Sequence, residues 1–291
     1  MRWVIVDDGT IPIFKDIAFN LQNHFKLLGM TVPIQKNVKG NNTVFFILNP
    51  HHGFLNKISN LKIKNKSNRY IGWDLTNYET LKAYQKYWVL GSKYNTSKLF
   101  DLILYDDISK KETLQNISFF NKVAYLPVTL DFMSDKFYNL DRSSFVRTDN
   151  ILFLGSLKDE KRKIDLKFLK WILKNRIDTV AGTYGISKMK ILQKYRYMLD
   201  TNRKVLGKDL VLLPTIRHAV ALNSGILPIS ISKYSSDHSL YIYKDISEFC
   251  GYIEDLDKDP FLKECYYDKL INNCKKIGSF TKNLKVITQS L

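Results

Sequence analysis

Short, unbroken apolar runs punctuate the chain, and each breaks off at Asp, Asn, Gly or Pro. Residues 2–6 (RWVIV) stop at Asp7-Asp8-Gly9, 43–48 (TVFFIL) at Asn49-Pro50-His51-His52-Gly53, and 69–73 (RYIGW) at Asp74. Residues 101–105 (DLILY) stop at Asp106-Asp107, and 122–126 (KVAYL) at Pro127. A strand wetted on one face alternates apolar and polar residues. A strand that is apolar throughout is buried on both faces, as in a parallel sheet covered by helices. Such sheets collect ligands at the carboxyl ends of their strands. Asp7, Asn49, Asp74 and Asp106 are therefore expected along one crevice.

The pattern pauses in a polar stretch within residues 131–150 and then restarts. Residues 151–154 (ILFL) lead into Gly155-Ser156, 178–181 (DTVA) into Gly182, and 211–213 (VLL) into Pro214; 226–231 (ILPISI) and 240–243 (LYIY) are further strands. Helical periodicity is expected over 16–29, with Gly29 as its stop, over 163–174, 186–199 and 246–253, and over most of 261–291. A short helix carrying Ala219, Val220 and Leu222 should end at Asn223-Ser224-Gly225. Two α/β domains follow, residues 1–145 and 146–291, expected as Rossmann-like sheets facing across a cleft. A strand–glycine–helix opening such as the one at Gly9 is the usual first unit of a nucleotide-binding domain.

Composition narrows the class. With 45% hydrophobic residues among 291, full cores are affordable and a disordered chain is excluded. No apolar run approaches the ~20 residues of a membrane span. Met1 to Val6 is too short for a signal peptide, so a cytoplasmic protein is expected. Cys250, Cys265 and Cys274 lack metal-ligand spacing and read as reduced structural thiols. The 45 Lys+Arg against 28 Asp+Glu leave +17, which points to a polyanionic partner, nucleic acid or an anionic membrane face, or to a merely soluble basic surface.

Arg217 sits in the first turn of its helix, against a macrodipole that favours anions there. Either the side chain faces solvent, or an anion at the helix N-terminus binds both. Lys158 and Arg162, within KDEKRK, pose the same choice for the preceding helix. Asp74 is either a proton acceptor at a strand end or the cap of a following helix. His51-His52 read as loop residues, and Asp106-Asp107 as a turn or one side of a divalent-ion site.

Taken in order, these motifs resemble GT-B glycosyltransferases, and among them the phage DNA β-glucosyltransferase family, which modifies 5-hydroxymethylcytosine. TVFFILNPHHGFLNKISNL, RYIGWDLTNYE, ILFLGSLKDEKRKIDLKFL and TIRHAVALNSGILPIS carry the likeness, which runs over most of the chain. It implies an inverting transfer from a UDP-sugar, by default UDP-glucose, with Asp74 as general base. Donor ligands would be Gly9, Ser156, Lys158, Arg162, Gly182 and Arg217. A divalent metal is compatible but not required. Lys57, Lys62, Lys64, Lys66 and Arg69, just before the Asp74 strand, would form the rim that grips double-stranded DNA bearing hydroxymethylated bases. The target base would have to be flipped out of the duplex. A monomer is expected, in the cytoplasm of a host cell if the source is viral.

One departure stands out. Where the family has a glutamate for the ribose, three residues after the arginine, this chain has Val220; His218 or Asn223 are the substitutes at hand. Two other readings stay open: a glycosyltransferase acting on a surface or capsid glycan, and a non-catalytic nucleic-acid-binding protein.

Overall fold

All six residues of Thr43–Leu48 are buried, the condition for a central strand covered on both faces. The computed structural model of the chain builds a parallel sheet around it. The described residues are 1–9, 12–48, 65–75, 100–107, 110–111, 122–133, 147–155, 157, 160–181, 190–199, 215–231, 242–243 and 246–291. They fall into two compact units. Unit 1 holds the described residues up to Val128 together with Gly278–Leu291; unit 2 is drawn from Thr129–Ile277.

Unit 1 contains β1 (Arg2–Val6), α1 (Pro12–Leu27), β2 (Ile34–Gln35), β3 (Thr43–Leu48), β4 (Arg69–Asp74), β5 (Leu102–Tyr105) and β6 (Val123–Tyr125). The strand order is β2-β1-β3-β4-β5-β6, every pair parallel. Unit 2 contains a 3₁₀ turn (Leu130–Met133), β7 (Thr148–Leu154), α2 (Glu160–Ile172), β8 (Ile177–Val180), β9 (Tyr195–Leu199), α3 (Thr215–Asn223), β10 (Leu227–Ile231), β11 (Ile242–Tyr243), α4 (Ile246–Lys258) and α5 (Pro260–Lys276). Its order is β11-β10-β9-β7-β8, also parallel.

The two sheets share one topology. The first strand, β1 or β7, has the second strand on one side and the third on the other. Strand order therefore reverses beside β1 and beside β7, and a ligand crevice opens at the carboxyl ends of such a pair.

One expectation is corrected. Residues 186–199 were expected as one helix, but Tyr195–Leu199 is β9, which joins β7 to β10. YRYML shows no clean period of two, because its last three residues are all buried. The two-residue strand β2 carries no periodic signal at all. The expected strand at 211–213 lies outside the described residues.

The last helix, α6 (Phe280–Gln289), packs on α1 in unit 1 rather than with its sequence neighbours. His24 Nδ1 and Thr281 Oγ1 are 2.8 Å apart, and Phe280 lies against the rings of His24 and Trp73. The three cysteines are free thiols, and burial pushes the Cys274 thiol up to about 11, so it stays protonated and unreactive.

Candidate active site

Gly155 follows the last residue of β7, at the reversal point of the unit 2 sheet. A side chain at 155 would bring its Cβ to 3.0 Å from Phe153 Cζ and 3.8 Å from Arg217 Nη2. The bare backbone of Gly155 makes room for the Phe153 ring, and the Arg217 guanidinium lies within van der Waals reach of the same strand end. Arg217 is the third residue of α3, half-buried. A strand end, a helix N-terminus and a cation converge there, the local arrangement that accepts phosphate oxygens.

The far end of α3 is firmly held. Gly225 takes φ +67, its N–H donates to Leu222 O, and Ile226 N–H donates to Ala221 O, the paired bonds of a Schellman stop. Arg147 adds a buried cation: Nη2 donates to Ser224 O at 2.9 Å and Nη1 to Gly225 O at 2.6 Å. Tyr267 Oη donates to Leu222 O, and Asn223 Nδ2 to Leu130 O. The carbonyl end of the dipole is satisfied by fixed donors, one of them charged, so the helix presents its N-terminus from a rigid base.

Val220 is buried, where an unpaired carboxylate would be costly. Neither suggested substitute is offered to a ribose, because His218 is fully enclosed and the Asn223 amide is committed to Leu130.

In unit 1, Gly9 follows β1 with φ +73, and its N–H donates to Asp7 Oδ1 at 3.1 Å. Asp74 is the last residue of β4 and is fully buried. The residue missed by sequence reasoning lies beside it. Lys110 is fully buried; its Nζ donates to Asp106 Oδ1 at 2.5 Å and to the Asp74 backbone carbonyl at 3.3 Å. Burial alone would lower the Lys110 pKa. The charges of Asp106, Asp74 and Asp107 and the hydrogen bond to Asp106 outweigh it and hold the ammonium above its ordinary value. The one sequence signal was the i, i+4 spacing of Asp106 and Lys110. No group of three or more His, Cys, Asp or Glu among the described residues could hold a metal ion.

Several expected ligands lie outside the described residues: Ser156, Lys158, Gly182, Lys57, Lys62 and Lys64. The backbone of Arg162 is in the first turn of α2, but its side chain is also outside them. Lys66 and Arg69 are exposed, and Arg69 faces Asp101 at 3.5 Å. Both sit at the amino end of β4, whereas Asp74 is at its carboxyl end. At ~3.3 Å per residue the strand sets Arg69 and Asp74 roughly 16 Å apart. These two cations stand at the opposite end of β4 from Asp74.

A cavity of about 270 Å³ in unit 2, lined by Arg147, Arg196 and Lys263, opens at the amino ends of the strands. Arg147 caps α3, while Arg196 and Lys263 both pair with Asp149, so this basic hollow serves the scaffold.

Comparison with solved structures follows the same lines. The pneumococcal O-GlcNAc transferase GtfA, in complex with UDP and GlcNAc, aligns at TM-score 0.57 and 11% identity, over 93% of this chain and 58% of that one. The GtfA/B complex aligns at 0.52 and 11%, over 93% and 59%. An α1,3-fucosyltransferase with GDP aligns at 0.53 and 14%, over 99% and 89%. The chain has the GT-B fold. It spans under two thirds of the length of the two GtfA structures and most of the fucosyltransferase. No family model and no curated protein sequence matches it. None of these three structures belongs to the phage DNA β-glucosyltransferase family. In GT-B terms, Gly155 and Arg217 occupy the C-terminal sheet's reversal point, and Asp74 a strand end of the N-terminal sheet.

Proposed function

We propose that this chain is a glycosyltransferase using a nucleotide sugar, with the donor diphosphate at Gly155 and Arg217 and Asp74 as general base. The observation that carries the reading is the Arg217 guanidinium on the N-terminal turn of α3 beside the bare end of β7. Two of the similar structures are complexes with UDP and with GDP, which supports a nucleoside-diphosphate donor. A UDP-sugar is the first to test, with UDP-glucose heading the series.

In the proposed step the acceptor oxygen forms a bond to the anomeric carbon as the carbon–phosphate-oxygen bond breaks. The electron pair leaves with the nucleoside diphosphate, and the acceptor proton passes to Asp74. Arg217 and the α3 dipole meet charge as it builds on the leaving oxygen. Direct displacement with one carboxylate inverts the anomeric carbon, because a covalent route needs a second nucleophile. Asp74 is buried in this structure. The reading therefore requires the acceptor to be admitted to the end of β4.

Two acceptors suit a chain of charge +17. Hydroxymethylated pyrimidine in DNA is the one the sequence resemblance implies. The amino-end position of Lys66 and Arg69 takes away part of its support. A surface glycan is the second, favoured by the lysine-flanked apolar row on α2 described below.

The test is a thermal-shift and hydrolysis screen with UDP- and GDP-sugars, followed by transfer to hydroxymethylated DNA and to lipid-linked or surface glycans. Stabilisation and turnover with at least one nucleotide sugar are expected. A folded protein that neither binds nor hydrolyses any of them is not a glycosyltransferase, and a nucleic-acid-binding role would replace this reading.

A further inference from the structure

Helix α2 has two apolar faces where a surface helix needs one. Leu166, Leu169 and, just beyond the helix, Leu173 are buried in the unit 2 core. On the other side Ile164, Phe168 and Trp171 recur at i, i+4 and i+7 and stand 64%, 44% and 74% exposed. The Phe168 and Trp171 rings lie 6.1 Å apart at 27°, extending a single apolar row. At about 100° per residue, Lys163, Lys167 and Lys170 form a second row directly alongside it. Lys163 pairs with Glu160 at the start of the helix, and no acidic residue of α2 stands beside Lys167 or Lys170 further along the row.

We infer that this face of α2 docks on an anionic lipid surface, with Ile164, Phe168 and Trp171 in the headgroup–acyl boundary and the lysine row against the lipid phosphates. An apolar row beside a basic one, with Trp at the boundary, is the pattern of a helix lying in the interface plane. The apolar row spans about 10 Å at 1.5 Å per residue. It lies on the outer surface of a helix, a convex shape that meets a flat bilayer directly. A net charge of +17 strengthens the pull of the whole chain toward such a surface. Other occupants fit less well. A second copy docked two-fold on this face would bring lysine rows together. A nucleic-acid backbone would satisfy the lysines and leave Ile164 wet.

The surface is independent of the glycosyl-transfer reading, so its test uses no substrate. The full-length protein is co-sedimented with phosphatidylcholine vesicles, alone or with about a quarter phosphatidylglycerol. Binding to the anionic vesicles, weakening with salt, and little binding to the neutral ones are expected. The pair Phe168→Ser and Trp171→Ser should lower the partition coefficient at least about tenfold, with the far-UV spectrum and melting temperature kept. Lys167→Glu with Lys170→Glu should abolish the preference for anionic lipid. The tryptophan emission should shift to the blue on vesicles in the wild type and not in Trp171→Phe. Wild-type protein that ignores anionic vesicles, or a serine pair that binds them equally, overturns the inference. A dimer in solution that the serine pair dissolves also overturns it, in favour of a second copy.

Discussion

Lys110 carries its charge where no water reaches it, and everything near it is arranged for that charge. Asp106 is 2.5 Å away and equally buried, so removing one partner strands the other. Lys110→Met should cost about 3–5 kcal/mol in urea unfolding, and adding Asp106→Asn should restore much of the loss. The pH dependence has a definite sign. The folded pKa of Lys110 is raised above the ordinary 10.5. Its stabilisation is therefore complete below that value and lost as pH rises through the folded pKa, which unfolding at strongly alkaline pH should reveal and Lys110→Met should remove. At the proposed site, Arg217→Ala should weaken nucleotide-sugar binding by about 1.5–3 kcal/mol, roughly ten- to a hundredfold, by calorimetry. Asp74→Asn should abolish transfer and leave donor binding intact. Loss of stability and activity together would instead mark Asp74 as part of the Lys110 ion cluster. The sequence made Arg217 conspicuous, because a cation in a first turn is locally unfavourable. Nothing local made Lys110 conspicuous, because an i, i+4 acid–base pair is usually an exposed one.

Among the elements, α3 is the one whose placement decides the site. It has only nine residues, too few to be stable alone, so tertiary anchors must hold it. Its stop was readable from Asn223-Ser224-Gly225, and Gly225 does take the left-handed conformation. Gly225→Ala forces a Cβ into that region and should cost about 1–2 kcal/mol by thermal or urea unfolding, with donor affinity falling as the helix end loosens. The second anchor, Arg147, precedes β7 and reaches carbonyls 77 and 78 residues further on. No window of sequence holds both ends of that contact. The missed strand β9 teaches the same lesson: YRYML becomes a strand because β7 and β10 flank it, not because of its own pattern.

Across the whole molecule, the chain returns to unit 1 at its end. Phe280 is fully buried against His24 and Trp73, so the N-terminal sheet is completed by the C-terminal helix. Phe280→Ala should destabilise unit 1 by about 3–5 kcal/mol, read from tryptophan emission, although the substituted residue lies near the opposite terminus. The sequence by itself determined the class of fold. Runs apolar on every residue admit few solutions besides parallel strands buried on both faces, and their Gly and Asp endings mark the carboxyl edge of each sheet. It also determined the stops at Gly29 and Gly225, since a left-handed conformation is one that glycine alone adopts freely. Only the tertiary structure decided which strands are neighbours, that Lys110 rather than solvent faces Asp106, and that α6 closes unit 1 across the sequence separation of 257 from His24 to Thr281. Local pattern records what a residue needs, burial or a turn. Which partner meets that need is settled by long-range packing, where many sequence-distant candidates satisfy the same local rule.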